Sequence, residues 1–372
     1  MSNDLAVAVP TILKYGLLAL RQYSVMPRLV NTDYANEVKE KGDTIDVIIP
    51  SAVATADVVP GTVPAGTAVK PSKAPIKLEN WKEAAFRMTD KELREIDDKQ
   101  MLVGQSSEAL KGLCNAVDLS LIVAATKGFY SSVGTSGVTP STTADIINIR
   151  KKLNKQLAPK GNRAYVIDGD AEGNFLNLAL FTSKADSDRD TLISGELGER
   201  FGLTVVHDQN IEGNAFTSGA QDGNYQVNGV NAAGATSLVI KTGANDIHEG
   251  DQFTIAGFSQ EHVCTELYAG GAGTMKIWPP LPQATAGNEL LTFKGNAAQV
   301  NLGFHRDAIS LAVRPLITPD GFGVISASDV DPISSLVLRL EVERVHKQTI
   351  WSWDILWGIG CTRPEYGSRG LG

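Results

Sequence analysis

The sequence predicts a mixed α+β protein that is interrupted by a small all-β domain. A long helical pattern occupies residues 89–128, with strand patterns on both sides of it. Residues 213–295 differ from the rest: they hold 13 of the 36 glycines, no arginine, and short runs in which apolar and polar residues alternate. Because helical and strand patterns resume after residue 295, we expect one α+β domain with the all-β part inserted into it.

The composition is that of a large acidic protein from a reducing compartment. The chain has 372 residues, 42 acidic and 34 basic, and a net charge of -8. These values predict two or three domains and argue against a free-standing nucleic-acid-binding protein. Cys114, Cys264 and Cys361 are odd in number and far apart, which predicts buried thiols. We find no signal peptide and no apolar run of about eighteen residues, and therefore expect a soluble cytosolic protein without a membrane span.

An N-terminal helix is predicted over residues 10–30. Ile12, Leu13, Leu17 and Leu20 recur at helical intervals, and Pro10 suits a helix start. Two interpretations remain open: an arm that packs on a neighbouring subunit, or a helix that docks on its own core.

A long hairpin is predicted next. Residues 43–50 and 76–88 alternate as strands, and they bracket a stretch that contains four prolines and almost no side chain able to fill a core. Prolines keep such a segment extended, and long loops inside compact domains are usually functional. We therefore favour a hairpin that completes its contacts on another chain over a disordered surface loop.

The long helical pattern is the element around which the chain is arranged. Thr89 and Glu92 have capping-box spacing, which predicts a helix start. We expect Gly104 to separate a short first helix from a second one over residues 105–127, about 35 Å long, which Gly128 ends. Beyond Asp118 this helix is apolar on nearly all sides, as expected inside packed protein. Its apolar stripe comprises Leu110, Leu113, Cys114, Val117, Leu121, Ala124 and Ala125, and off the stripe lie Glu108, Lys111, Asn115 and Asp118.

Shorter patterns predict the rest of the first half of the α+β domain. After a Ser/Thr/Gly loop come a basic amphipathic helix over residues 143–157 and a strand over 163–168. A helix over 171–180 and a strand pair within 199–211 follow. Alternating helices and strands of this kind indicate a mixed layer.

The insert and the C-terminal part are predicted from strand patterns. Glycine-marked turns separate the runs TSLVIKT, DQFTIAG, HVCTELY, TMKIW and ELLTF, which favours a small barrel or sandwich. After the insert we expect a helix over residues 306–313 and then strands through 334–364.

Residues with catalytic or metal-binding chemistry are weakly patterned. Asp168 and Asp170 have the D-x-D spacing that holds Mg²⁺ in phosphoryl-transfer enzymes, but Asp is also usual in a strand-to-helix turn, where Asp170 would cap the next helix. His305 and Asp307 are spaced as a base and its orienting acid, although a histidine before a helix is more often a cap. We expect structural roles for all four.

The remaining motifs favour structural interpretations as well. GGAG at residues 270–273 lacks the lysine of a phosphate-binding loop and should be a turn, and the other histidines lack metal-ligand spacing. Trp351, Trp353 and Trp357 alternate at strand spacing. They could form a sugar-binding platform, but packing on the long helix is favoured. We predict no cofactor, no metal and no enzymatic activity.

Several stretches, taken in order, carry a resemblance to a known family. They are VMPRLVNTDYANEVKEKGDTIDVIIP, FRMTDKELREI, GELGERFGLTVVHDQNI, GDQFTIAG and ELLTF in the insert, and NLGFHRDAISLAVRPL. Their order resembles that of the major capsid proteins of tailed phages, the Hong Kong ninety-seven-type fold. It is most similar to the P-twenty-two-type coat proteins, which carry an inserted β-barrel. Each motif is of modest specificity, and together they span nearly the whole chain.

The resemblance implies a phage major capsid fold with peripheral and axial domains. Its parts would be an N-terminal arm (1–42), an extended loop (43–88), a spine helix with the first part of the core (89–212), the inserted all-β barrel (213–295) and the second part of the core (296–372). The resemblance also implies hexamers and pentamers that assemble in the host cytoplasm, with a scaffolding protein and a portal, into an icosahedral head that encloses double-stranded DNA. Covalent lysine–asparagine cross-linking, which occurs in the wider fold, is not carried over.

Assembly would then be the mechanism, and the base of the hairpin would supply contacts. Trp81, Phe86 and Arg87 are the predicted contact residues, because aromatic and arginine side chains commonly anchor interfaces. The acidic charge agrees with a container, since tight contact with every phosphate would make DNA adhere to it; weak non-specific contact with the packaged DNA is expected.

Three other interpretations compete with a phage capsid. The first is an encapsulin-like nanocompartment shell of the same fold, which the glycine-rich insert and the long hairpin tip disfavour. The second is a cytosolic metal-dependent hydrolase that uses Asp168, Asp170 and His305. The third is a tail-tube or decoration protein, which would lack the long helix.

Overall fold

The computed structural model describes residues 5–34, 44–50, 71–91, 99–178, 197–214, 216–221, 223–294, 300–317 and 324–372, together with residues 55, 57, 58, 60 and 61. Within them the helices are α1 (Leu5–Tyr23), α2 (Lys99–Gly128), α3 (Thr143–Lys155) and α4 (Gly169–Leu176). The strands are β1 (Thr44–Ile49), β2 (Ser72–Lys77), β3 (Asn80–Thr89), β4 (Ser132–Gly134), β5 (Arg163–Ile167), β6 (Gly198–Arg200), β7 (Leu203–His207), β8 (Gln226–Val227), β9 (Ser237–Thr242), β10 (Gln252–Ile255), β11 (Glu261–Cys264), β12 (Gly273–Trp278), β13 (Leu291–Phe293), β14 (Val300–His305), β15 (Ser310–Val313), β16 (Val324–Val330), β17 (Val337–Val345), β18 (Gln348–Gly360) and β19 (Gly367–Leu371).

The chain forms two compact units. The first comprises Met1–Leu17, Thr32–Ala109 and Ser310–Thr362, and the second comprises Leu18–Asn31, Leu110–Ile309 and Arg363–Gly372. Helices and sheets occur together, so the predicted mixed α+β class is confirmed.

In the first unit, β18 is the strand on which the sheet is built. It pairs antiparallel with β3, β15 and β17, and β17 pairs with β16. Trp351, Trp353, Ile355 and Trp357 alternate along β18 and are buried, which gives the sheet one apolar face. The strands predicted within residues 334–364 are thereby confirmed.

The hairpin prediction is confirmed at its base. β1 and β2 pair antiparallel, and their apolar side chains, among them Ile45 and Ile76, pack on Ala312. The single strand predicted over residues 76–88 is wrong, because the chain leaves β2 after Lys77 and re-enters a different sheet as β3. Most of the predicted tip lies outside the described residues.

Helix α2 runs unbroken through Gly104, so the expected separation there is wrong. A glycine inside a helix costs only about 1 kcal/mol relative to alanine, and the helical pattern continues on both sides. The predicted stripe is confirmed, since six of its seven members are buried: Leu110, Leu113, Cys114, Val117, Leu121 and Ala125. Asp118, expected off the stripe, is fully buried as well.

By length and mean hydropathy, 1.4, Gly104–Gly128 is the one described helical segment apolar enough to cross a membrane. Half of that segment is buried inside the structure, and the core helix of a soluble protein passes the same test. The buried contacts of Asp118 and Cys114 with the chain itself favour a core helix.

Of two predicted helix starts, one is confirmed and one is displaced. Thr89 is the last residue of β3, and Asp90 and Lys91 directly after it are helical; its capping partner Glu92 lies outside the described residues. Pro10 lies within α1, which is already helical at Leu5, because burial of apolar neighbours such as Val9 offsets the backbone hydrogen bond that proline removes.

The C-terminal end of α1 docks on the chain itself. Leu20 is buried, and its carbonyl accepts a hydrogen bond from Cys114 Sγ at 3.7 Å. After the helix, the Val25 N–H donates to Asp118 Oδ2 at 3.1 Å. Of the two open interpretations, docking on the protein's own core therefore holds for this end.

The second unit contains a six-stranded sheet in the order β4-β19-β14-β5-β7-β6. β5 and β7 run parallel, as do β4 and β19. α3 and α4 pack through Ile149, Leu153 and Phe175 next to Tyr165 of β5. The predicted helices, the strand β5 and the strand pair β6–β7 are confirmed with shifted ends.

The helix predicted over residues 306–313 is wrong. Arg306–Ala308 form one 3-10 turn, and Ser310–Val313 form β15. A short apolar run has no decisive period of its own, and all four residues of β15 are buried through pairing with β18.

The segment predicted as an insert, residues 213–295 and called the insert below, contains a six-stranded antiparallel sheet in the order β13-β10-β11-β12-β9-β8. Five of these strands, β9 to β13, coincide with the runs predicted from the sequence. Hydrogen bonds also join the two ends of this order: the Val227 N–H donates to the Glu289 carbonyl at 3.0 Å, and the Leu291 N–H donates to the Tyr225 carbonyl at 2.9 Å. The GGAG motif begins with two residues of positive φ and is a turn, as predicted.

Candidate functional site

The three predicted contact residues lie on β3, but not on one face. β3 pairs with β18 along its whole length, so successive side chains point to opposite faces of the sheet. Trp81 and Arg87 are exposed on one face. Phe86 is half-buried on the other face and stacks on Trp351, with 6.5 Å between ring centroids. The structure thus places Trp81 and Arg87 on the same face of β3, about 20 Å apart along the strand, and Phe86 on the opposite face.

Trp81 is exposed yet fixed in position. Its accessible fraction is 62%, and its Nε1 donates to Asp354 Oδ2 at 3.0 Å. Asp354 is buried and also accepts from Arg339 Nε at 2.9 Å; this bond raises the pKa of the Arg339 guanidinium. An ion pair of 2.9 Å joins Arg339 to Glu341, a carboxyl whose pKa burial raises. A rigid aromatic ring held at a surface is suited to anchor an interface.

The hairpin base offers a second exposed face. Buried and exposed side chains alternate along β1: Ile45 and Val47 are buried, whereas Asp46 and Ile48 are exposed. Asp46 Oδ2 accepts from Lys73 Nζ across the strand pair at 3.2 Å. One side of the hairpin is therefore anchored to its own unit, and the other side is free for a partner.

Asp168 and Asp170 have separate roles. Asp168 is buried and caps α4, because its Oδ1 accepts from the Ala171 N–H at 3.2 Å, and burial raises its pKa. Asp170 is exposed in the first turn of that helix. The predicted cap at Asp170 is therefore wrong: Asp168, two residues earlier and directly after β5, is the N-cap of the helix.

His305 caps its own turn. Its Nδ1 accepts from the Asp307 N–H at 3.2 Å, and burial lowers its pKa. In the sheet His305 lies opposite Arg163, at the start of β5, whereas Asp168 follows the end of that strand. At about 3.3 Å per residue, a strand length separates the two side chains, too far for one metal ion. Among the described residues, no group of three or more His, Cys, Asp or Glu side chains could hold a metal ion.

None of the three cysteines forms a disulfide; Cys114 and Cys264 are buried, as predicted, whereas Cys361 is half-buried. Burial raises the pKa of Cys114 to about 12 and that of Cys264 to about 11, so both stay protonated and unreactive. Trp351, Trp353 and Trp357 are buried and offer no open platform to a sugar. Their packing on the long helix stays a prediction.

A cluster that the sequence does not reveal fixes the insert to the rest of the second unit. Glu261 of β11 accepts from Lys152 of α3 at 2.8 Å, from Lys294 at 2.5 Å and from the Ser132 N–H at 3.0 Å. Burial alone would raise the pKa of Glu261, but the hydrogen bonds from the two lysines outweigh it and hold the pKa below its usual range.

Further polar contacts join the insert to the end of α2. Gln252 Nε2 donates to the Phe129 and Ser131 carbonyls at 2.9 and 3.1 Å. Glu249 accepts from Lys127 at 2.8 Å. Beside these contacts lies a cleft of about 540 Å³, lined by apolar side chains that include Leu119, Val123, Phe216 and Leu267.

Asp118 is the second feature that the sequence misses. Burial, and then the nearby Asp208 carboxyl, raise its pKa to about 8, so this carboxyl is protonated at neutral pH. It joins α2 to the start of the 3-10 turn after α1 through the Val25 N–H. No local pattern marks it, because Val25 and Asp208 are remote in sequence.

No protein-family model and no curated protein matches this chain, but solved structures do. A structure from Mycobacterium phage Che8 is similar with a TM-score of 0.51 and 12% identity, over 93% of this chain and 90% of that chain. The capsid structure of the cyanophage P-SCSP1u is similar with a TM-score of 0.51 and 12% identity, over 94% of this chain and 88% of that chain.

This similarity covers more than nine tenths of the chain. At 12% identity it is a similarity of fold, and fold alone does not establish function. The chain therefore has a mixed α+β fold of the kind seen in phage capsid structures.

Proposed function

We propose that this chain is a major capsid protein, a coat subunit that self-assembles into hexamers and pentamers of an icosahedral phage head. The observation that carries the proposal is the fold shared with the cyanophage capsid structure over 94% of the chain. The subunit performs no catalysis; it acts by forming contacts with neighbouring copies that together build the shell.

The exposed parts of the first unit support the proposal. A stable interface takes about 800 Å² from each partner, and extended elements provide that area without enlarging the core. The hairpin is anchored through Ile45 and Ile76, and the exposed Trp81, Arg87 and Ile48 lie on β3 and β1. We assign these side chains to contacts with neighbouring subunits, with Phe86 holding β3 in place from the other face.

The parts of the chain then take the names of a Hong Kong ninety-seven-type subunit. Residues 1–42 are the arm, 43–88 the extended loop, 89–212 and 296–372 the core, and 213–295 the inserted barrel. The hydrogen bonds that join the two ends of the insert's strand order support a closed barrel, the feature by which P-twenty-two-type coat proteins are distinguished. Assembly in the host cytoplasm with a scaffolding protein and a portal, around double-stranded DNA, completes this proposal.

Electron microscopy of the purified chain tests the proposal. We expect rings, shells or tubes of megadalton mass, and a compact monomer at high protein concentration would contradict it. Shells that co-purify with a protein cargo and exclude nucleic acid would instead indicate an encapsulin-like nanocompartment. Metal-dependent turnover by a small oligomer would instead indicate a hydrolase and would also contradict the proposal.

A further inference from the structure

One stretch of this acidic chain has the opposite charge balance. Between Ile146 and Ile167 there are six basic residues and no acidic residue. Lys152 is engaged with Glu261, and Arg163 donates to Asn154 Oδ1 at 2.8 Å and to two backbone carbonyls. The other four are exposed and form the basic patch: Arg150, Lys151, Lys155 and Lys160.

The fold presents the basic patch on one side of α3. Ile146, Ile149 and Leu153 recur at steps of three and four and are buried on the sheet. Lys151 and Lys155 lie on the opposite side of the helix and Arg150 on its flank, and Lys160 lies in the loop between α3 and β5. Within the part of the chain that the structure describes, none of the four patch residues forms an ion pair.

The surroundings of the basic patch leave its charge uncompensated. Burial first, and then the positive charge of Arg150, lower the pKa of Arg163. The backbone N–H of Arg306 donates to the Asn162 carbonyl at 3.0 Å, so another basic residue lies next to the loop that carries Lys160. Three carboxylates of this region have other partners: Glu261 pairs with two lysines, Asp145 accepts from the Ser141 and Thr142 N–H groups at the start of α3, and Asp307 accepts from Asn31 at 3.0 Å.

We propose that the basic patch binds the phosphate backbone of double-stranded DNA. The patch offers only donors, which suit phosphate oxygens. α3 carries no aromatic side chain on which the bases of a single strand could stack. Its apolar residues face inward, so it offers no groove for an acidic amphipathic peptide. The proposal rests on the capsid function and assigns the patch to the DNA-facing side of the shell.

Four phosphate contacts per subunit give weak binding that is multiplied in a shell. The logarithm of the binding constant should fall with the logarithm of salt concentration with a slope of about -3.6, that is 0.9 for each of the four contacts. A single subunit should bind with a Kd of about 10⁻⁴ to 10⁻⁶ M at physiological salt. Such binding would line a container without making the DNA adhere tightly.

The test compares two variants of equal net charge. One combines Arg150→Gln, Lys151→Gln, Lys155→Gln and Lys160→Gln; the control combines Lys14→Gln, Lys241→Gln, Lys276→Gln and Lys347→Gln. Binding of a random-sequence 30-base-pair duplex to the unassembled full chain is measured by fluorescence anisotropy at several salt concentrations. We expect the affinity of the patch variant for DNA to fall about tenfold or more at 50 mM salt, and its affinity to depend much less on salt concentration. The affinity of the control variant should fall far less.

Equal losses in the two variants would overturn the proposal, as would a poly-glutamate probe that binds the patch more tightly than DNA of equal charge. Unchanged circular dichroism of both variants shows that they are folded. Electron microscopy distinguishes the failure of one proposal from the failure of the other. A patch variant that forms shells but binds no DNA would support both proposals. If the natural chain never assembles but binds DNA through the patch, the proposed DNA-binding site would stand and the proposed capsid function would be wrong.

Discussion

At the scale of single residues, burial and partners decide what each carboxyl group does. Asp168 receives the N–H of Ala171 and begins a helix. Asp118 lies in the middle of α2, receives the Val25 N–H and is near Asp208. Both side chains resemble catalytic acids by burial, yet each accepts a backbone N–H that holds the fold together, and the shift of the Asp118 pKa has consequences for stability.

Asp118→Asn should make stability less dependent on pH. The folded pKa is about 8 and the reference value is 3.8, so between these values the folded state keeps a proton that the unfolded chain releases. Stability of the natural chain should therefore fall as pH rises from about 4 to 8, by at most about 5 kcal/mol. The asparagine variant should lack this loss and gain on the natural chain at pH 8.

Urea unfolding of the unassembled subunit at pH 4, 6 and 8 measures this effect. The matched control is Asp46→Asn, an exposed carboxylate in an ion pair with Lys73, which should change stability by less than about 1 kcal/mol at each pH. Parallel pH profiles for the natural chain and Asp118→Asn would contradict the prediction.

Trp81→Ala should impair assembly and spare the fold. The indole is 62% exposed, and Asp354 keeps its hydrogen bonds from Arg339, so the free energy of unfolding should change by about 1 kcal/mol or less. Phe86→Ala is the control for the opposite face and should destabilise the subunit by about 2 kcal/mol through lost packing on Trp351. Light scattering during assembly and thermal unfolding separate the two effects; normal shells from Trp81→Ala would remove this residue from the interface.

At the scale of elements, the continuity of α2 through Gly104 predicts a stabilising substitution. No atom lies within 4 Å of the Cβ that alanine would add there, and alanine is favoured over glycine in a helix by about 1 kcal/mol. Gly104→Ala should therefore raise the melting temperature. Gly303→Ala should lower it, because its Cβ would collide with Ile149. A lower melting temperature for Gly104→Ala would indicate a break in the helix after all.

Glu261→Gln should loosen the insert from α3. The glutamine would leave Lys152 and Lys294 without their shared carboxylate, a loss of about 2 kcal/mol in this half-buried cluster. Because the pKa of Glu261 is lowered, the same contact should weaken in the natural chain as pH falls through that pKa. Hydrogen exchange at residues 129–134 should become faster in the variant, with Glu266→Gln, an exposed ion-pair partner of Lys276, as the control. Equal protection in both variants would exclude Glu261 as the contact that fixes the insert.

The sequence predicted the elements better than their contacts. The stripe of α2, the strands β9 to β13 and β18 follow from local periodicity, which a single chain displays. The strand β15 could not be predicted in this way, because its short apolar run takes its conformation from pairing with β18. The roles of Asp118 and Glu261 were not predicted for the same reason: their partners are remote in sequence, and nothing local distinguishes a buried acidic side chain from a solvated one.

At the scale of the whole molecule, basic residues and exposed extended segments are confined to particular parts of the chain. The chain is acidic overall, but its basic patch is gathered on α3. The hairpin is anchored through one side, whereas the side that carries Asp46 and Ile48 is exposed. Under the proposed capsid function, the basic patch would contact DNA and the exposed side of the hairpin would contact another copy, so that each surface can be changed without unfolding the subunit.

Shortening the hairpin should separate folding from assembly. Replacing residues 51–70 by Asn-Gly would leave β1 and β2 paired and their apolar side chains on Ala312, so the subunit should keep its melting temperature within a few degrees. If the hairpin completes its contacts on a neighbour, this variant should form no shells at concentrations at which the natural chain does. A second variant, with residues 51–70 replaced by a glycine-serine segment of equal length, distinguishes reach from specific contact. Shells from the short variant would show that assembly does not use the tip, and a lowered melting temperature would show that the tip packs on its own subunit.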